Sequence, residues 1–258
     1  MFARATLYGL PVWIVFLAAA GSLVLVTELG FRGGRRLGRA AQERAKFETG
    51  SIQASVLGLL ALLLGFTYSA SMSNFQERRT LVVKEANAIG TAYLRAQLLQ
   101  KPLAQQAGLL LRRYTDLHLQ WAAATETEAA RIARQGDEVQ KEIWAIAARA
   151  AEQDRGPVTA LFISSVNDLI DVGGERVASN SNRLPIQMFG LLGVLALVGM
   201  GLTGYGCGLS GERSFAATTT VSLLIVALTL VICDIHEPRQ GLIHESQQSL
   251  IDARAAMP

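Results

Sequence analysis

The sequence predicts an all-α integral membrane protein, with four transmembrane helices and a helical water-facing domain inserted between the second and the third. Three observations lead there. Half of the 258 residues are hydrophobic and only 17% are charged, below the ~25% usual for soluble domains. The charges are unevenly spread, with none between Arg4 and Glu28, from Thr49 to Gln76, from Leu184 to Gly211, or from Ser214 to Cys233. Each stretch reaches or exceeds the ~20 residues that a helix needs to cross ~30 Å of hydrocarbon. Signals for β-strands are nearly absent, and in lipid a helix satisfies its own backbone groups. Core helices of a soluble protein would carry a polar stripe, which these lack. The domains follow: 1–73, two membrane helices and a basic loop; 74–183, the water-facing domain; 184–236, a membrane hairpin; 237–258, a short polar tail.

Helix one is expected from about Leu7 to Leu29, with Pro11 in its first turns, where proline costs little. A basic start followed by an apolar run also fits a signal peptide. The run to Val26 is long for that, and residues 27–32 make a poor cleavage site. It reads as a retained helix. The loop after it gathers Arg32, Arg35, Arg36, Arg39, Arg44 and Lys46.

Helix two is expected from about Ser51 to Met72. No Gly or Pro interrupts the chain from Phe66 to Ile89, so the helix should leave the membrane as one rod reaching about Leu99. Lys101-Pro102 ends it, because the residue before proline avoids the α region. In the middle segment Leu110, Tyr114, Leu117 and Trp121 recur at helical spacing, as do Val139, Ile143, Ile146 and Ala150. Gly136-Asp137 is expected to break this segment locally, and Gly156-Pro157 more firmly. A further helix from about Val158 carries Phe162, Val166 and Leu169 on one side, with a kink expected at Gly173-Gly174. These stripes read as core.

Helix three is rich in glycine. Gly204 and Gly208 form a small-xxx-small pair that lets helices approach closely. Thr218, Thr219, Thr220 and Ser222 on helix four are expected to bond to neighbouring helices. The turn Ser210-Gly211-Glu212-Arg213 joins helices three and four and fixes a parity. The N-terminus, the middle domain and the C-terminus share one side of the membrane, and the first loop and the hairpin turn share the other. Cations in short loops favour the cytoplasm, which places the first loop there.

Several classes of function are disfavoured. Two cysteines and three histidines without a cluster do not suggest a zinc or haem site. Cys207 lies beside the turn that joins helices three and four and Cys233 at the far end of helix four, ~30 Å apart at 1.5 Å per residue, beyond disulfide reach. There is no P-loop, dinucleotide glycine pattern or nucleophile elbow. A net charge of +3 and a pI near 9.1 fit lipid contact and topology rather than nucleic acid. No charge lies deep in a span, which disfavours an ion-coupled pump. No cofactor, metal or catalytic residue is expected.

Three polar clusters sit at membrane ends on one side. A hydroxyl-rich collar, Thr67, Ser69, Ser71, Ser73 and Asn74, runs into Glu77, Arg78, Arg79, Glu85 and Asn87. Asn167, Asp171, Arg176 and Asn182 precede helix three, and Asp234, Glu237 and Arg239 follow helix four. Asp171 is expected to meet Arg176 or an arginine of the rod. The clusters could join into one network at the base of the domain.

The runs Leu62-Leu63-Leu64-Gly65-Phe66-Thr67-Tyr68-Ser69, Glu77-Arg78-Arg79 and Glu85-Ala86-Asn87-Ala88-Ile89-Gly90-Thr91 resemble a bacterial membrane-protein family with a bestrophin-like domain. Asn167 to Asp171 with Arg176, Asn182 and Pro185 is similar to a second motif of that family. Asp234-Ile235-His236-Glu237-Pro238-Arg239-Gln240-Gly241 is similar to a third, with His236-Glu237 replacing a more usual Asp-Arg pair. The resemblance implies a bacterial inner-membrane protein of the bestrophin layout, an oligomeric anion channel in bestrophins. Two functions then compete. One is a homo-oligomeric channel passing small anions, with helix two lining the path and Arg78 and Arg79 at its mouth. The other is a membrane-anchored scaffold or sensor without transport.

Overall fold

In a computed structural model, residues 6–7, 10–36, 39–182, 184–236 and 243–257 are described. Eight helices make up nearly all of them. They are α1 (Val12–Arg35), α2 (Arg39–Ala96), α3 (Lys101–Ala123), α4 (Glu126–Gln153), α5 (Pro157–Ser181), α6 (Ile186–Ser210), α7 (Phe215–His236) and α8 (Gln248–Ala255). The only strand pairing among the described residues is Thr6–Leu7 against Leu10–Pro11. Four helices are long and apolar enough to cross a membrane, namely α1, α2, α6 and α7.

The boundaries have local causes. α1 starts at Val12, not Leu7, because Pro11 forms its N-cap and the residue before a proline avoids helical backbone. It runs on to Arg35, with Arg32 and Arg35 in a last turn whose dipole favours cations. α2 is the expected rod and longer, at 58 residues. It ends at Ala96, and Pro102 lies in the first turn of α3, where its missing N–H costs nothing. The break in the middle segment falls at residues 124–125, not at Gly136-Asp137. Thr125 and Glu128 form a reciprocal capping box that starts α4, and Gly136 lies inside that helix. α5 likewise continues through Gly173-Gly174. The hairpin turn forms as expected, with Gly211 left-handed at φ 74°.

The chain divides into two units. The first comprises residues 1–73 and 183–243, and the second residues 74–182 and 244–258. In the first, Leu23, Leu60, Leu64, Leu192, Met200 and Ile232 form a small core. Only 11–22% of the most apolar window of each membrane-length helix is buried, so most of that apolar surface faces outward. Helices α1 and α6 meet backbone to backbone. A Cβ at Gly204 would collide with the Thr27 carbonyl and one at Gly208 with that of Phe31. A Cβ at Gly30 or Gly34 would collide with the Gly201 or Tyr205 carbonyl. The expected small-xxx-small pair is therefore matched by a second pair on α1. Glu28 of α1 bonds Arg213 of the hairpin turn at 2.8 Å, which puts that turn at the same end of the unit as the C-terminal part of α1.

The α7 hydroxyls differ from expectation. Thr218, Thr220 and Ser222 donate to carbonyls one turn back on the same chain. A side chain that can close such a bond locally needs no neighbouring helix.

In the second unit most of the expected stripes are core. Tyr114, Leu117, Val139, Ile143, Ile146, Phe162, Val166 and Leu169 are buried with Leu111, against Ile89 of α2 and Leu250 of α8. Leu110 and Trp121 are half-buried and pack at its edge, Leu111 taking the inward place next to Leu110. Burying one such side chain stabilises by about 1.5–3 kcal/mol.

Candidate functional site

In the first unit, α2 turns its hydroxyls in two directions. Thr67 and Ser71 are buried, at 1% and 0% exposure, and Thr67 Oγ1 donates to the Leu63 carbonyl at 2.7 Å. Ser69 and Ser73 are exposed. Residues two apart on a helix lie about 200° around the axis, so the expected collar cannot face one path. Two adjoining rows of α2 are exposed: Ile52, Ser55, Leu59, Leu62, Phe66, Ser69 and Ser73, and beside them Ser51, Ala54, Gly58, Ala61, Gly65 and Tyr68. In both the spacing alternates three and four, and the first carries the larger apolar side chains.

In the second unit the structure gathers a buried charged cluster. Glu85 is fully buried. One of its oxygens accepts from Arg176 Nη1. The other lies 2.9 Å from His118 Nδ1 and accepts from the Tyr114 hydroxyl at 3.4 Å. Arg176, 4% exposed, donates through Nη2 to Gln247 Oε1 at 3.1 Å and stands 5.3 Å over the Trp121 ring. Four segments thus converge. The rod brings Glu85, α5 brings Arg176, the C-terminal segment brings Gln247, and one face of α3 brings Tyr114, His118 and Trp121.

Burial pushes the Glu85 carboxyl up, but the hydrogen bond and charge of His118 and the Arg176 guanidinium outweigh it and hold the group below its ordinary value. Burial, then the Glu85 charge, raises the Tyr114 hydroxyl well above 10.0, so it stays protonated and donates. A cavity of about 450 Å³ opens beside His118 and Arg176, between α3, α4 and α5.

The other sequence-predicted residues are placed as follows. Arg78 is 4% exposed and paired with Glu245 at 2.5 Å, where an open position at a mouth was expected. Its partner lies 167 residues away, beyond the reach of local pattern. Arg79, Glu77 and Asn87 are exposed and Asn74 is half-buried. Asp171 is exposed on α5 with Asn167, and Asn182 is exposed just beyond that helix. Arg176 turns to Glu85 instead of Asp171. Asp234 accepts from the Ile243 backbone N–H at 3.0 Å. Glu237 and Arg239 lie outside the described residues.

Sequence reasoning missed His118, Gln247 and Glu245. It read Tyr114 and Trp121 as core alone. One signal was available: His118 interrupts the apolar face that Tyr114 and Trp121 share. Among the described residues no cluster of His, Cys, Asp or Glu could hold a metal ion.

Comparison with known proteins gives one family and one fold. Residues 15–250 match the family described as Bestrophin-like domain. No curated protein matches the chain. Among solved structures, a tryptophan-to-alanine variant of a bacterial bestrophin homologue from Klebsiella pneumoniae superposes with a TM-score of 0.67. It is 14% identical, over 95% of this chain and 98% of that one. A tyrosine-to-alanine variant of the same homologue gives 0.66 at 14% identity, over 93% and 99%. The form phased on zinc gives 0.63 at 14%, over 92% and 98%.

Proposed function

The chain belongs to the bestrophin-like family, and from that premise we propose that it is a homo-oligomeric membrane channel for small anions, with α2 lining the path. The observation that carries the reading is the exposed face of α2, and on it the row from Ile52 to Ser73. Its alternating three-four spacing is the seam that identical helices present around a common axis. Leu59, Leu62 and Phe66 are 47%, 54% and 61% exposed and would form an apolar constriction that gates by dewetting. Ser55 on one side of it, and Ser69 and Ser73 on the other, supply hydroxyls that can replace part of an ion's hydration. Arg79 remains as the exposed cation beyond the stripe.

In this reading the second unit stands in water and the four apolar helices in the membrane of a bacterial cell, the inner one, with the first loop cytoplasmic. The second unit's own helices, α3, α4 and α5, are not among those apolar enough to span. Thiol labelling of Ala40→Cys and Thr125→Cys in intact cells tests the orientation, and only the second is labelled from outside. The main test is chloride efflux from liposomes holding the oligomeric protein. Phe66→Ala should increase flux several-fold. No flux from a well-reconstituted oligomer would overturn the channel. That result would favour the second reading, an anchored binding or sensor protein, which draws on the cavity in the second unit.

A further inference from the structure

One face of α1 joins an apolar row to a group of cations. Ile14, Ala18, Ser22, Leu25 and Leu29 are exposed at spacings of three and four, and the same row continues into Arg32 and, at the C-cap, Arg36. From Ile14 to Leu29 it spans ~22 Å at 1.5 Å per residue, more than one leaflet's half of the ~30 Å hydrocarbon. Residues four apart on a helix are neighbours, so Arg32 and Arg36 stand side by side where the apolar row ends.

The charges around them are unbalanced. Glu28 accepts from Arg32 at 2.9 Å through one oxygen and from Arg213 of the hairpin turn at 2.8 Å through the other. One carboxylate is thus shared by two guanidiniums, which do not lose their protons. Arg213 stands 5.6 Å over the Phe31 ring and 5.8 Å over that of Phe215, and Arg35 stands 5.7 Å over Phe31. Even so, the side chains of Arg32 and Arg213 are 67% and 56% exposed. Arg35 and Glu212 are exposed beside them, one of each sign. The dipole of α1 favours cations at its C-terminus but brings no counterion. Permanent positive charge in excess, set at the end of an apolar row, matches a partner with an anionic head and an apolar tail.

We propose that this end of α1 binds an anionic glycerophospholipid. The phosphate sits between Arg32 and Arg36, whose planar guanidiniums match its oxygens in paired hydrogen bonds, and Glu28 holds Arg213 behind them. An acyl chain lies along Leu29, Leu25 and Ala18. A zwitterionic headgroup brings its own cation toward the guanidiniums and is the weaker ligand. The inference rests on the membrane placement of α1 in the reading above, not on anything passing along α2.

The test is native mass spectrometry of the full-length protein, stripped of lipid in detergent. It is titrated with dioleoylphosphatidylglycerol and, separately, with dioleoylphosphatidylcholine and glycerol 3-phosphate. Phosphatidylglycerol should bind saturably, one per chain, at least about tenfold tighter than phosphatidylcholine. Glycerol 3-phosphate, a head without a tail, should not bind at the same concentrations. Each cation near an anionic lipid surface contributes roughly fivefold, so Arg32→Gln with Arg36→Gln should remove the preference. Both positions are exposed and glutamine forms helices about as well as arginine, so the fold is kept. Arg134→Gln, which removes an exposed cation of α4, should leave the preference unchanged. Equal binding of the two lipids by the unaltered protein would overturn the proposal without recourse to any variant. So would a preference that survives the double variant, falls equally with Arg134→Gln, or is reproduced by glycerol 3-phosphate. Chloride flux is a separate readout, so failure here leaves the channel reading standing.

Discussion

The two units solve the same problem, holding helices together, by opposite means. In the first, α1 and α6 touch through glycine backbones, and large apolar side chains such as Leu62, Phe66 and Leu224 point outward. In the second, large side chains fill the space between helices, and a carboxylate and a guanidinium are buried at its centre. On the proposed reading, with lipid around the first unit and water around the second, the difference reflects the solvent. Lipid is as apolar as leucine, so burying leucine there gains little, and close backbone approach supplies the attraction instead. In water, burial itself drives packing, and a buried ion pair is tolerated where its partners are complete.

The largest expected effect breaks this comparison most directly. Gly204→Leu should abolish recovery of monodisperse protein in detergent, because the new side chain meets the Thr27 backbone, which cannot give way. The same change at Gly174, where space is open, should leave recovery intact. Size-exclusion chromatography of the two variants checks the pair. Equal behaviour would mean that the glycine seam does not hold the first unit together.

Next, Glu85→Gln strips the buried Arg176 of its countercharge and should destabilise the second unit by about 3–5 kcal/mol. Adding Arg176→Met should restore much of that. Denaturant unfolding followed by tryptophan fluorescence reads both.

Acid probes the same centre with a smaller effect. Glu85 is held below its ordinary value of 4.5 in the fold and returns to it on unfolding, so the unfolded chain binds more protons between the two values. Its contribution is complete above about pH 4.5 and fades as pH falls through the folded-state value. The thermal midpoint should fall with acid in that window, and the fall should vanish in the Glu85→Gln, Arg176→Met double variant.

The smallest effect concerns a helix end. Thr125→Ala removes half of the capping box that starts α4 and should cost about 0.5–2 kcal/mol, measured by the same denaturation. A change within error would mean that packing, not the cap, places the break at residues 124–125.

Legibility followed the range of each interaction. The uncharged runs, the unbroken rod and the Gly204/Gly208 pair depend on neighbours within a turn or two, and all could be read directly. The α3–α4 break was also local. Thr125 followed three residues later by Glu128 is a capping-box pattern, yet Gly136-Asp137 drew attention instead. The burial of Gly136 within α4 shows that the helix faces of its neighbours outweigh a glycine's weak propensity. The charged cluster was only half legible. Glu85 and Arg176 stood out as polar residues near membrane ends, but their pairing spans 91 residues, and Gln247 comes from the far end of the chain. Nothing in local spacing links them. The α2 hydroxyls failed for another reason: a polar run was read as one surface, although alternate members of it face opposite ways on a helix.

Gly30, Gly34, Gly204 and Gly208 also constrain inheritance. Every missense change one base from a glycine codon adds a side chain, even if only the methyl of alanine, and at these four codons any such atom strikes a neighbouring backbone. Selection can therefore remove variants there but has no milder allele to accept. Sequences descended from a common ancestor should keep glycine at all four, while residues such as Leu111 or Val139 exchange among apolar types of similar volume. A lineage that replaced one of the four would need its helix pair to have moved apart.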